Sequence, residues 1–120
     1  KFFKINNLRF LIFPPPEPVE SEEFEKIIKL TKELVIKNNS ELYFVYLPSY
    51  KRYKNKFNKI NYNLVKNIVN ELDIPFIDIH DEVFKLEENP LKLFPFQLPT
   101  HYNIDGYRKT SEAIYQLSKN

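Results

Sequence analysis

Two short apolar segments separated by one amphipathic helix constrain the fold of this chain more than any other feature of its sequence. The first segment, Leu42–Leu47, is a continuous run of aliphatic and aromatic residues closed by Pro48, a pattern typical of a strand buried on both faces. The second, Ile74–Ile79, follows an apolar stripe at helical spacing over residues 57–72. The sequence therefore predicts a strand, a helix and a second strand, with parallel strands and a right-handed crossover.

Two strands cannot bury both faces and both edges of a parallel sheet, so further strands are expected from elsewhere. The chain starts at Lys1, contains no methionine and has one glycine, where an α/β domain uses several in tight turns. We therefore expect an incomplete domain that pairs with its own missing N-terminal part. Residues 1–19 would be the connector, and residues 20–120 the C-terminal part of a single α/β domain.

The remaining segments predict two more helices and a stiff joint. Leu8–Phe13 is apolar and stays open between a strand and the end of a helix, and Pro14–Pro18 predicts an extended connector. Ser21 and the acidic residues after it are typical of a helix start. The apolar stripe of this helix comprises Phe24, Ile27, Ile28, Thr31, Leu34 and Val35. A last helix is expected to begin near Asn103, which can cap it.

Composition excludes some classes of function and leaves others open. The 18 basic and 16 acidic residues give a net charge of +2, so nucleic acid is not expected as a partner. The basic and aromatic run Lys51–Lys59 could still bind phosphates or an anionic polysaccharide, or form a solvated loop and helix start. Absence of cysteine excludes thiolate chemistry but does not fix the compartment, which stays unknown. No apolar run approaches the roughly 20 residues of a membrane-spanning helix.

Ligand sites in parallel sheets lie beyond the carboxyl ends of the strands, where this chain places Ser49, Tyr50, His80 and Asp81. Ser49 and Tyr50 are predicted to contact substrate. Ser49 lacks the flanking glycines that expose a nucleophilic serine, so a turn serine is the simpler interpretation. His80 and Asp81 have no second histidine at ligand spacing, and they fit the polar start of a short helix better than a metal site. We predict neither a metal nor a cofactor.

His101 is the candidate catalytic residue. It follows an irregular stretch, Phe94–Thr100, that contains two prolines, and it directly precedes the last predicted helix. A histidine so placed can act as general base for a hydroxyl nucleophile when another group orients its second ring nitrogen. Gly106 has a structural reason to be present, since it lets the first helical turn pack closely against neighbouring backbone.

The segment from Leu47 through the second strand to the run His101–Tyr107 resembles the C-terminal half of SGNH/GDSL hydrolases. In that family the last motif is an aspartate, two variable residues and a histidine, followed closely by asparagine and by Gly-Tyr or Gly-His. The matching positions here are His101, Asn103, Gly106 and Tyr107. The resemblance covers about residues 20–120, and only this final motif is moderately specific.

The resemblance implies a flavodoxin-like three-layer α/β/α sandwich with a parallel sheet, present here as an incomplete C-terminal part. It implies a serine esterase or O-acyltransferase that acts on an ester-bearing small molecule or carbohydrate. His101 matches the family's base, and Asn103 is expected near the substrate. The nucleophilic serine and the oxyanion-hole residues would lie upstream of this chain, so the chain alone is expected to be inactive.

Leu98 leaves two hypotheses open. It occupies the position three residues before His101, where the family has its aspartate, and it cannot hydrogen-bond an imidazole. A serine-histidine dyad or a carboxylate from another loop could serve instead, and Asp78, Asp81 and Asp105 are the candidates. The alternative is a catalytically inactive SGNH-like domain that binds carbohydrate or a protein partner. An unrelated α/β binding module that uses the basic loop is a third reading.

Overall fold

The computed structural model describes residues 21–55 and 57–119. The elements follow in the order α1 (Ser21–Lys37), β1 (Phe44–Tyr46), α2 (Lys51–Lys54), α3 (Ile60–Glu71), β2 (Phe76–Asp78), α4 (Ile79–Glu82) and α5 (Ile104–Leu117). Three 3₁₀ turns lie between α4 and α5, at Phe84–Leu86, Pro90–Leu93 and Pro95–Gln97. The connector expected over residues 1–19 and the open segment Leu8–Phe13 lie outside the described residues.

Both predicted strands form, and they pair in parallel. Phe44 lies opposite Phe76, and Tyr46 lies opposite Asp78. The backbone N–H of Phe44 donates to the carbonyl of Pro75 at 2.8 Å, so the proline before β2, which has no N–H of its own, still takes part in strand pairing. The strand, helix and strand order predicted from the sequence is thus confirmed.

The predicted flavodoxin-like three-layer α/β/α sandwich is wrong for the described residues. Of these residues 62% are helical and 6% are in strands, and no three-layer sandwich is evident among them. Each strand has three residues, because Pro48 soon follows β1 and Asp78 ends β2 by capping α4. β1 is half-buried rather than buried on both faces. A pair of strands this short cannot form the middle layer of a sandwich.

The hydrophobic core lies where β2 runs into α4 and the 3₁₀ turns. Phe84 and Phe94 are its largest buried side chains, and Ala113 and Ile114 of α5 pack against it. The buried members of this core are Ile77, Ile79, Val83, Phe84, Leu93 and Phe94. Because the core includes residues on both sides of the loop before α5, it fixes the position of that loop.

The apolar stripe predicted on α1 is only partly covered. Phe24 and Ile28 are half-buried, and the Phe24 ring meets Phe44 of β1 edge-on at 6.2 Å. Ile27 and Leu34 are each 61% exposed, so this part of the stripe is left uncovered within the described residues. No described helix combines the length and the apolar character needed to cross a membrane.

Candidate functional site

Three of the four predicted site residues lie along one cleft. The residues that line it include Ser49 and Tyr50, just after β1, which we call the Ser49 wall, and His101, from the loop before α5, which we call the His101 wall. The cleft has a volume of about 560 Å³. Its lining residues are Leu47, Ser49, Tyr50, Lys51, Phe94, Pro99, Thr100, His101, Tyr102 and Tyr107.

The Ser49 wall is held by a tight turn into the short helix α2. The Ser49 carbonyl accepts a hydrogen bond from the Arg52 backbone N–H at 3.0 Å, as expected for a serine that starts a turn. The Tyr50 ring packs edge-on against the buried Phe94 ring, with 5.4 Å between centroids. Pro48, directly before Ser49, is fully buried. The start of the turn is therefore held in the core, while Ser49 itself is exposed.

The His101 wall is held by Asn103. Its backbone N–H donates to the Leu93 carbonyl at 2.9 Å, and its side-chain amide donates to the Lys92 carbonyl at 2.7 Å. Its side-chain oxygen accepts from the Gly106 N–H at 2.9 Å, which confirms Asn103 as the cap of α5. Asn103 does not line the cleft, and both polar ends of its side chain are engaged, so a substrate contact by Asn103 remains only a prediction.

His101 is exposed in the cleft, and no acidic side chain is among the described residues that line it. The three candidate aspartates have other partners. Asp78 accepts hydrogen bonds from the Tyr62 hydroxyl and from the His80 backbone. Asp81 pairs with Lys85 at 3.3 Å, and Asp105 pairs with Arg108 at 2.7 Å. The Arg108 guanidinium, through its hydrogen bond, lowers the pKa of Asp105. Within the described residues, nothing acidic orients the His101 ring.

The second histidine, His80, belongs to a separate network beneath the sheet end. Its Nδ1 lies 3.0 Å from the Tyr53 hydroxyl, and its backbone N–H donates to Asp78. Burial disfavours the charged form of each side chain, so it lowers the pKa of His80 and raises the pKa of Tyr53. No group of three or more His, Asp and Glu residues suited to a metal ion occurs in ranges 21–55 and 57–119. His80 thus lies in the first turn of α4, where the Asp78 side chain caps the helix.

Much of the basic and aromatic run after β1 packs on itself. The Arg52 guanidinium lies 4.3 Å from the centre of the Phe57 ring and 4.9 Å from that of Tyr62, and it donates to the Tyr46 hydroxyl at 3.3 Å. Cation–π contacts of this kind stabilise the turn between α2 and α3. Among the described residues of this run, Lys51 lines the cleft.

Sequence reasoning missed Tyr102, which links the two walls. Its hydroxyl donates to the Pro48 carbonyl at 2.7 Å across 54 positions of sequence. Lys51, Thr100 and Tyr107 also line the cleft without having been singled out as site residues. The sequence signal for Tyr102 was its position between the candidate base and the helix cap. Its bond to Pro48 could not be predicted, because a contact between residues so far apart in sequence produces no periodic pattern.

No protein-family model, curated protein or solved structure matches this chain. The function therefore has to be argued from the cleft and from the motif around His101.

Proposed function

We propose that this chain supplies the general base and part of the active-site cleft of an SGNH-like serine esterase or O-acyltransferase. His101 is the base, and the nucleophilic serine belongs to a part of the protein outside this chain. The substrate is an ester-bearing small molecule or carbohydrate. The observation that carries the proposal is the position of His101, exposed in a cleft that Ser49 and Tyr50 also line and close to the capped N-terminus of α5.

The reaction uses His101 as a proton shuttle. The imidazole takes the proton of the serine hydroxyl while the serine oxygen attacks the ester carbonyl carbon. The protonated ring then gives that proton to the departing alkoxide, which leaves an acyl-enzyme. In an esterase His101 next deprotonates water, which releases the acid. In an acyltransferase it deprotonates the acceptor hydroxyl, which receives the acyl group. A serine-histidine dyad, or a triad completed by a carboxylate from another loop, fits these steps.

Hydrolysis of p-nitrophenyl acetate by the full-length protein tests this proposal. Replacing the base, in His101→Ala, is expected to lower a serine-dependent rate by roughly 100-fold or more. The matched control is His80→Asn, which removes the other histidine but not the cleft base, and which is expected to keep the rate. A rate that is indifferent to His101 in a variant folded like the wild type by circular dichroism contradicts the proposal.

A second experiment measures the same hydrolysis with residues 1–120 alone. Residues 1–120 without the proposed serine are expected to show no rate above buffer. A rate that disappears in Ser49→Ala would instead make Ser49 the nucleophile and would overturn the assignment of the serine to another part of the protein.

A non-catalytic domain that binds carbohydrate or a protein is the second candidate. Leu98 favours it, since the family's aspartate is replaced by an aliphatic side chain that is 56% exposed. Tyrosine rings such as Tyr50 and Tyr107 in the cleft suit contact with sugar faces. The corresponding measurement is a titration of the labelled protein with chitohexaose or maltohexaose, followed by the amide signals of Tyr50 and Tyr107. Shifts that saturate, in a protein without ester hydrolysis, support this candidate.

A further inference from the structure

Tyr102 connects the backbones next to both predicted site residues. Its hydroxyl donates to the carbonyl of Pro48 at 2.7 Å. Pro48 is bonded directly to Ser49, and Tyr102 is bonded directly to His101. The bond therefore joins the two walls at positions one residue away from Ser49 and His101, which both line the cleft.

The Tyr102 ring has little freedom to swing away from this bond. It lies 5.0 Å from the ring of Phe84 and 5.4 Å from that of Phe94, and both phenylalanines are buried. The Tyr107 ring stands 5.6 Å away on another side. Packing in a close-packed core thus fixes the direction of the hydroxyl.

The hydroxyl also remains a donor across the working pH range. Burial raises the pKa of Tyr102 well above its ordinary value, since a phenolate is poorly solvated among the core rings. The Pro48 carbonyl has no proton to give, so the hydrogen bond depends on a protonated phenol. Neutral and mildly alkaline solutions therefore leave the link intact.

We infer that Tyr102 is a positioning residue, which sets the distance between His101 and the Ser49 wall of the cleft. The effect of Tyr102 on catalysis rests on the proposed function of His101, whereas the hydrogen bond between Tyr102 and Pro48 does not depend on that function. A displacement of about 1 Å at a reacting group can cost roughly 100-fold in rate. Loosening the two walls should therefore lower turnover more than it weakens substrate binding.

The test is Tyr102→Phe in the full-length protein, which removes the hydroxyl and keeps the ring in the core. With p-nitrophenyl acetate we expect kcat to fall by roughly 10-fold or more while KM changes little. In a His101→Ala background the same change is expected to add no further loss, because it acts through His101. Equal losses in both backgrounds, as for a merely structural residue, overturn the inference.

The matched control is Tyr43→Phe, which removes a hydroxyl that donates to the Glu41 carboxylate at 3.0 Å, outside the cleft. It is expected to leave kcat unchanged. A second readout is independent of activity, since the chain has 2 histidines, whose ring signals can be told apart by NMR. Tyr102→Phe is expected to shift or broaden the His101 ring and Ser49 amide signals and to spare His80.

The activity and NMR measurements distinguish a failure of the proposed function from a failure of the positioning role of Tyr102. A wild-type protein that does not hydrolyse the ester contradicts the proposed function, and the NMR response then decides the positioning role by itself. Unchanged His101 and Ser49 signals in Tyr102→Phe overturn the link between the walls, whatever the activity of the protein.

Discussion

Gly106 lies so close to Leu93 that a Cβ atom on Gly106 would stand 2.8 Å from the Leu93 carbonyl oxygen. The same carbonyl accepts the Asn103 backbone N–H at 2.9 Å. The Cβ atom of Tyr102 would be 3.0 Å away from the added carbon. The first turn of α5 is thus seated directly on the 3₁₀ turn that ends at Leu93, as the sequence predicted for Gly106, and this contact locates the loop that carries His101.

Gly106→Ala is expected to destabilise the protein. The new methyl group would force backbone apart, which typically costs about 1–3 kcal/mol, and the better helix propensity of alanine returns no more than about 1 kcal/mol. Urea unfolding followed by circular dichroism measures the difference. The control is Gln116→Ala at an exposed position of the same helix, where stability should change little. A Gly106→Ala protein as stable as the control would show that the loop can move away freely.

Local patterns predicted most of the elements. Apolar spacing located α1, α3 and α5, and the two apolar runs located the paired strands. Asn103 was predicted as a cap from residue type and position alone, since capping depends on neighbours within one turn. These predictions hold because the interactions behind them are local in sequence.

The remaining features depend on contacts between distant segments. Strand length was overestimated because an apolar run shows that residues are buried but not that their backbone pairs. The sequence placed Ser49 at the same sheet edge as His80 and did not predict that Ser49 and His101 line one cleft. The Tyr102 bond that links their walls spans 54 positions. The exposure of Ile27 and Leu34 was missed because periodicity predicts an apolar face and not what covers it.

Two helices of this glycine-poor chain end at residues that adopt a conformation usually taken by glycine. Asn39 after α1 and Asp73 after α3 adopt positive φ values of 53° and 48°, the left-handed conformation that commonly ends helices. Backbone bonds from Ser40 to Val35 and from Ile74 to Val69 close these turns. Asparagine and aspartate thus do what glycine does in many proteins, so these two turns need no glycine.

Asp73→Gly is therefore expected to stabilise the protein. Glycine avoids the roughly 1–2 kcal/mol that a Cβ atom costs in the left-handed conformation, and this gain exceeds the roughly 0.5–1 kcal/mol of extra backbone entropy that glycine loses on folding. Alanine is strained there by about 1–2 kcal/mol, so Asp73→Ala should be less stable than Asp73→Gly. Thermal and urea unfolding of the wild type and the two variants measure the order of their stabilities. A glycine variant that unfolds before the alanine variant would contradict the role assigned to this turn.

His80 is expected to make stability depend on pH in mildly acidic solution. Burial is the main cause that lowers its pKa in the folded protein. Arg52 and Lys85 also lower the pKa, whereas Asp78 and Asp81 raise it. A lowered pKa means that the unfolded chain binds more protons than the folded protein at intermediate pH, so stability rises with pH there.

The expected profile follows from that sign. The contribution of His80 is fully present above the ordinary histidine pKa of about 6.5, and it declines as pH falls towards the lower folded-state pKa, below which the profile levels off. Urea unfolding between pH 8 and pH 5 measures this slope. His80→Asn keeps a hydrogen-bonding group near the Tyr53 hydroxyl but cannot titrate, so its slope should be shallower. His101→Asn, changed at an exposed position, is the matched control and should keep the slope of the wild type. An equally steep decline in His80→Asn would assign the pH dependence to other groups.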